Sequence, residues 1–538
     1  LNFEPQENEV VERQIGFSYG GLDNARLNLE TESKGLSFDE VRSRSRQTWN
    51  DMLARIQVED DNQANLTKFY TGLYHALLGR GLASDVNGQY KLNGAGIGQI
   101  PVGKDGQPAH QHYNTDGIWG GFWNLSQLWA LAYPDYFTDY IQSNIDFYKE
   151  TGWLHDGEAA GTYTNGVQTN FQGLLIASAY NCGLRDFDVA TGYEAAFKNE
   201  TEGRGRDLGN GKYDLNYFLR LGYVPYQDTL ISNGWVFNFG ASHTLEYAFS
   251  SFAVASMAKA LGKKNDYELL MKQSAYWENL FDPATKFIRP RLPNGAFIET
   301  FDPMKGWDGF QEGNAYQYTW YVPHNPAGLI DKMGQALFNE RLENTFTESR
   351  KLLFGGGKEI HSFSGVESLY NQGNQPCLHH AWLFNYSQKP WLTQFWTRTI
   401  CEEFYGTEPL HGYGYGQDED QGQLGAWFVM ASLGLFDVQG HAAVNPTFQF
   451  GSPLFKQVTI NTGTSAQPLI IETGNNAPGH QYIQSITFNG KPVDNCWIDR
   501  SELMQGGTLH FEMGPKPNTS WGVQIPPPSL NVIQTTIQ

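Results

Sequence analysis

Positive charge is scarce in this chain of 538 residues: 37 Lys and Arg stand against 57 Asp and Glu, a formal net charge of −20. Nucleic acids and anionic membrane surfaces need concentrated Lys and Arg, so neither fits as a partner. Long apolar runs are missing too. No stretch approaches the roughly 20 residues that a membrane-spanning helix requires, and no leader-like pattern opens the sequence, which leaves a removed leader and no leader equally open. Cysteine is sparse, with Cys182, Cys377, Cys401 and Cys496 at no CxxC spacing; neither a zinc site nor a disulfide framework is indicated. Charged residues make up only 17% of the chain, whereas aromatics reach 14%. Flat amphipathic rings stack on sugar faces, so carbohydrate is the first substrate class to consider, although a large helical core would use them as well.

The length is too great for one small core and suits two domains, or one large barrel with an accessory layer. Apolar residues recur at three- and four-residue spacing and predict helices over 69–78, 125–148, 171–181, 244–261, 267–280, 328–346, 391–404 and 424–435. The connections are rich in Gly, Pro and Asn. Helices joined by alternately short and long loops fit a toroid of helical hairpins whose long loops gather at one end around a pocket. After Asp437 the pattern changes to short β-branched runs such as Gln457-Val458-Thr459-Ile460, Leu469-Ile470-Ile471 and Ile486-Thr487-Phe488. Residues 10–17 also read as a strand, and the two β regions are candidates for one layer.

Two segments carry the chemistry. Asp418-Glu419-Asp420 places three carboxylates at the entrance to an apolar helical run, where the helix dipole offsets only part of their repulsion. A solvated helix cap is the plain alternative. The second segment, Gln311-Glu312-Gly313-Asn314-Ala315-Tyr316-Gln317-Tyr318-Thr319-Trp320, sets one carboxylate among aromatics and amides. One acid in apolar surroundings and another in charged surroundings suggest a general acid and a general base.

Motifs in order along nearly the whole chain now bear on identity. They include Asn24-Ala25-Arg26-Leu27-Asn28, Phe69-Tyr70-Thr71-Gly72-Leu73-Tyr74-His75, Ser84-Asp85-Val86-Asn87-Gly88, Glu312-Gly313-Asn314-Ala315, Val322-Pro323-His324, Gly373-Asn374-Gln375-Pro376, Asn385-Tyr386 and Gly451-Ser452-Pro453-Leu454-Phe455. In these the chain resembles glycoside hydrolase family 92, the calcium-dependent inverting exo-α-mannosidases. The resemblance implies a mainly α fold, an (α/α)6 barrel with an associated β-sandwich that is mostly missing at the N-terminus. Residues 1–30 would then be the end of that sandwich and a linker, 31–437 the catalytic barrel, and 438–538 a C-terminal β region packed on it. It further implies Glu312 as general acid, Asp420 as general base and Asp418 as its helper. An inverting hydrolase needs a protonated carboxyl at the leaving oxygen and an ionised one, about 6.5–9.5 Å away, to activate water. Aromatic neighbours are expected to favour the protonated form of Glu312 by desolvation. Calcium is the implied cofactor, and Asn374 and Gln375 are its candidate oxygen ligands. The family usually carries Glu where Gln375 stands, and a polar turn before Pro376 is the plain reading of the pair.

Several sugar contacts depart from the pattern. The family's Trp-Asp-Thr-aromatic-Arg motif aligns with Trp119-Gly120-Gly121-Phe122-Trp123, so its Asp and Arg are replaced. Asp116 is a candidate substitute carboxylate, and Trp119 and Trp123 are candidate stacking platforms or core residues. A family His aligns with Asn170, while His379 keeps a position near metal and sugar. Charge-assisted contacts discriminate strongly between sugars, so their loss puts mannose itself in question. The expectation is an exo-acting inverting α-glycosidase acting on glycans, mannose first and another α-linked sugar second. A catalytically inactive carbohydrate-binding homologue and a sugar phosphodiesterase are the alternatives. The resemblance also implies a secreted, periplasmic or cell-surface location and allows a separate chain carrying the missing sandwich.

Overall fold

A computed structural model describes residues 10–92, 96–159, 162–164, 169–204, 211–226, 229–231, 235–355, 365–408 and 421–530. The protein is mainly helical, and its helices begin where short polar side chains can accept a free backbone N–H. Asn62 accepts from Asn65 N at the start of Gln63–Leu78, Asn170 from Gly173 N at Phe171–Asn181, and Asn325 from Gly328 N at Pro326–Met333. Breaks follow from the chain as well. The helix expected over 125–148 divides into Gln127–Ala132 and Pro134–Thr151. Pro134 lacks an N–H and drives Tyr133 out of helical geometry, to φ −134, so one helix ends and the next starts with Pro at its first position. Likewise Gly334, at φ 87, separates Pro326–Met333 from Gln335–Leu353.

At the centre lies Gly240–Ala260, buried on nearly all faces, which is why its sequence shows no polar stripe. Phe171–Asn181 and Lys264–Ser274 pack against it. Gln63–Leu78 and Gln423–Ser432 approach so closely that a Cβ on Gly72 would stand 2.8 Å from the Gly425 carbonyl oxygen.

The C-terminal region forms a six-stranded sheet in the order Ile56–Glu59, Gln457–Ile460, Leu469–Gly474, Gly507–Gly514, Tyr482–Phe488, Lys491–Pro492. Its outer strand comes from the other end of the chain, with Ile56 opposite Ile460. A second sheet joins Leu435–Phe436, Thr447–Phe450 and Trp497–Asp499. Helical and β parts share one core: Phe69 meets Phe455 edge-on at 5.3 Å, and Trp382 stacks on Phe436 at 5.0 Å. Buried Arg500 ties them further by donating to the carbonyls of Cys182 and Ala130.

Residues 10–17 form no strand, because no neighbouring backbone pairs with them and Val10, Ile15 and Phe17 lie exposed. What holds this end is a polar knot joining two of the resemblance motifs: Asn24 and Asn28 both donate to the Asp85 carboxylate at 2.7 Å. Among the described residues no helix is long and apolar enough to cross a membrane. All four cysteines are free and buried; burial pushes the thiols of Cys377, Cys401 and Cys496 up to about 12, leaving them unreactive.

Candidate active site

Glu312 sits at φ 54, in the left-handed region that side-chain-bearing residues seldom adopt. Its loop is held there from several sides. Ala241 N donates to Gly309 O at 3.0 Å, and Gln311 N donates to Ser242 Oγ at 3.1 Å, fastening the loop to the start of the central helix. From the other flank Tyr318 Oη donates to Gln311 O at 2.8 Å. Asn314 caps the short helix Ala315–Tyr318 and donates to Val366 O and Ser368 O. Asn374 Nδ2 donates to the carbonyl of Glu312 itself at 2.8 Å. Buried Phe310 and Tyr318 stack across the loop at 5.6 Å, and the Glu312 side chain between them in sequence is half-buried. Backbone strain of this kind costs on the order of 1–3 kcal/mol and persists only where neighbours over-determine it.

The central helix adds a residue that sequence reasoning missed. Glu246 is one turn beyond Ser242, and its Oε2 is shielded from solvent without a hydrogen-bond partner. Burial raises its pKa well above the usual carboxylate range, and the charges of Asp156 and Glu312 raise it further. Asp156, almost fully buried, accepts from Thr169 N at 3.1 Å. Three carboxylates therefore face one region at the end of the central helix. The available signal was a lone acid, Thr244-Leu245-Glu246-Tyr247, inside a long apolar helix.

The structure joins Asn374 to Glu312, as described, and brings Trp123 onto His379, whose rings stack at 5.1 Å and 5°. Both of these are 0% exposed. His379 Nε2 donates to Trp320 O at 2.9 Å, and burial lowers its pKa to about 4, so the ring is neutral. Asn170, 1% exposed, accepts from Gly173 N and Asn199 Nδ2 and donates to Glu200 Oε1. Glu200 in turn pairs with buried Lys212. All three side chains thus face protein groups. Asp116 and Trp119 are half-buried, at the edge of the packed interior. Gln375 is half-buried beside Asn374, whose Oδ1 accepts from Gln375 N. Asp418 and Asp420 lie outside the described residues; the chain re-enters at Gln421. Open clefts of about 810 and 730 Å³ lie elsewhere, lined by His110, Asp139 and Arg185 in one and Lys68, Arg398 and Asn476 in the other.

A large helical body that gathers a strained, half-buried carboxylate and two further acids has the groups that acid–base chemistry uses. Comparison with known proteins narrows this: residues 24–515 match the glycosyl hydrolase family 92 catalytic domain, and the chain belongs to that family. An uncharacterized secreted glycosidase of Arthroderma benhamiae is 24% identical, aligned over 97% of this chain and 63% of its own length. A family GH92 alpha-mannosidase of Bacteroides thetaiotaomicron superposes with TM-score 0.82 at 27% identity, covering 95% of this chain and 64% of its own. A family GH92 inverting mannosidase of the same organism gives TM-score 0.81 at 26% identity, with 94% and 67% covered. The chain therefore spans somewhat under two thirds of the length of the first two relatives.

Proposed function

We propose that the chain is an exo-acting, inverting α-glycosidase of family 92 that releases terminal α-linked sugars from glycans, with mannose the first candidate. The observation that carries this is Glu312, held strained among aromatics on a loop fastened from three directions, in a chain matching the family over nearly its whole length. The helices are proposed to form the family's (α/α)6 barrel. A location outside the cytoplasm is proposed from the relative named as secreted.

In this reading Glu312 donates its proton to the glycosidic oxygen as the bond to the anomeric carbon breaks. Asp420 takes a proton from the water that attacks the opposite face, and Asp418 orients that water. Asp116 and Trp119 are proposed to face the sugar. Trp123, His379 and Asn170 are proposed to act one layer behind, holding the walls. Asn374 and Gln375 offer amide oxygens beside the acid, a donor type that suits calcium. When bound there, calcium would polarise sugar hydroxyls.

Hydrolysis of a panel of α-linked disaccharides and aryl glycosides, with and without chelator, tests the proposal. Glu312→Ala is expected to lower kcat on poor leaving groups by about 10²–10⁴ and on good aryl leaving groups far less. Chelation is expected to lower activity, and calcium to raise the melting temperature of wild type more than that of Asn374→Ala. Release of another sugar would redirect the specificity. Sugar binding without turnover, unchanged by Glu312→Ala, would favour a binding protein.

A further inference from the structure

Along the central helix every residue from Gly240 to Ala258 is buried except Glu246, which is half-buried. A helix packed this deeply shows one accessible side chain only where an opening reaches it. Glu246 Oε2 is shielded and has no hydrogen-bond partner, so the exposure lies on the rest of the residue. Ser242 shares its helix face, one turn back. Because Ser242 Oγ accepts from Gln311 N at 3.1 Å, that face looks toward the Glu312 loop. A second polar group meets it there. Tyr321, 2% exposed, packs its ring edge-on against Phe249 at 6.4 Å and Trp123 at 5.6 Å, while its hydroxyl hydrogen-bonds to no described residue. Phe249 lies three residues beyond Glu246, so it flanks the same face. Burial holds the Tyr321 phenol well above its usual range, and a charge on Glu246 raises it further, as one of two neighbouring groups does for the other. The adjacent Tyr318 hydroxyl, by contrast, is committed to Gln311 O at 2.8 Å. Interior polar groups are nearly always hydrogen-bonded, and a carboxyl without a partner is among the costliest exceptions. Here a carboxyl and a phenol stand together without protein partners among the described residues, next to Glu312.

We propose that Glu246 and Tyr321 are specificity-determining contacts for the terminal sugar: the carboxyl and the phenol hydrogen-bond neighbouring ring hydroxyls, backed by the aromatic rings of Phe249 and Trp123. The inference rests on the reading of the chain as a glycosidase with Glu312 as its acid. The donor set suits a polyhydroxylated ring. A protonated carboxyl offers one donor and spare acceptor capacity, and a phenol offers one of each, so the pair answers hydroxyls, which also donate and accept. Anionic ligands are disfavoured by the acids Glu246, Asp156 and Glu312 gathered there. A site that pairs a substrate hydroxyl rejects the analogue lacking it, because its own polar groups are then left unpaired.

The test crosses enzyme variants with substrate analogues. Wild type, Glu246→Leu and Tyr321→Phe, each as the full chain, are assayed on the aryl α-glycoside that wild type hydrolyses best and on its monodeoxy analogues. In wild type, removal of the hydroxyl that Glu246 holds should lower kcat/KM by about 10–10²-fold. Glu246→Leu should lose about as much on the parent glycoside and nothing further on that one analogue, since the contact is already gone. Losses that multiply for every analogue would overturn the inference and leave Glu246 a structural residue. Tyr321→Phe keeps the ring and its packing; it should show the same pattern on a neighbouring hydroxyl with a loss of about 3–10-fold, and it decides the matter if Glu246→Leu does not fold. Glu312→Ala separates the two ideas. A selective loss on poor leaving groups upholds Glu312 as acid whatever Glu246 does, and multiplying Glu246 losses alongside it sink this inference alone. Where wild type hydrolyses none of the glycosides, the same cross is read by calorimetry as Kd for their uncleavable S-linked analogues, and no binding of any of them overturns the contact as well as the reaction.

Discussion

At the scale of single residues, burial decides which of the gathered acids carries its charge. Glu246 is the clearest case. Its shielded oxygen has no partner and its neighbours Asp156 and Glu312 are acids, so the folded protein favours its neutral form. An unfolded chain ionises the same carboxyl near its ordinary value of 4.5. Above that value the unfolded state releases a proton that the native state keeps, so this group costs stability as pH rises, until the folded carboxyl itself ionises. Glu246→Gln, a neutral mimic of the same shape, removes the cost. Its melting temperature should equal that of wild type at about pH 4.5 and exceed it increasingly toward about pH 7, as read by thermal scans across pH. An advantage that shrinks with rising pH would show Glu246 to be ionised and paired. Glu312 was legible in the sequence because its aromatic and amide neighbours are adjacent along the chain. Glu246 and Asp156 were not, because what makes them unusual is a meeting across separate segments.

Among the elements, helices were readable wherever apolar spacing was local, as in 171–181, which matches the helix Phe171–Asn181. The outer strand Ile56–Glu59 was not, since its partner Gln457–Ile460 lies across most of the chain and four residues carry too little pattern. The contact of Gln63–Leu78 with Gln423–Ser432 was equally hidden, although it sets the entry to the helix that follows the acidic run. Within a helix, Gly→Ala ordinarily stabilises by about 1 kcal/mol. At Gly72 the added carbon would meet the Gly425 carbonyl oxygen at 2.8 Å, and backbone cannot step aside as a side chain can. Gly72→Ala is therefore expected to destabilise by about 1–3 kcal/mol and to lower activity by displacing the Gln421 junction. Gly81→Ala, where the nearest atom is 4.0 Å away, should be neutral. Denaturant unfolding and activity of the two variants check the contrast, and equal stabilities would mean that the helices separate at no cost.

Across the whole molecule, burial of imidazoles dominates the response to acid. His112 and His155 have pKa values lowered to about 3, and His324 and His379 to about 4, in each case first by burial. His380 and His441 are lowered well below the usual value for the same reason. An unfolded histidine takes its proton near 6.5, whereas these folded ones stay neutral well below that pH. Stability from each is thus present above about pH 6.5 and is lost as pH falls toward the folded values. Among the described residues three carboxyls act in the opposite sense, Glu246, Asp139 and Asp437, the last raised to about 7 by burial. With His75, also lowered by burial, seven imidazoles against three carboxyls among the described residues leave a net uptake on unfolding on the order of two to four protons near pH 5. The melting temperature is therefore expected to fall steeply from about pH 6.5 to about pH 5, and calorimetry in buffers of different ionisation enthalpy should register the uptake. His379→Gln supplies the internal control. The amide can still donate to Trp320 O but does not titrate, so the variant should lose some stability at neutral pH and show a shallower acid slope by about one proton. A slope unchanged by that substitution would mean that His379 is already protonated in the fold, against its burial between Trp123 and Trp320.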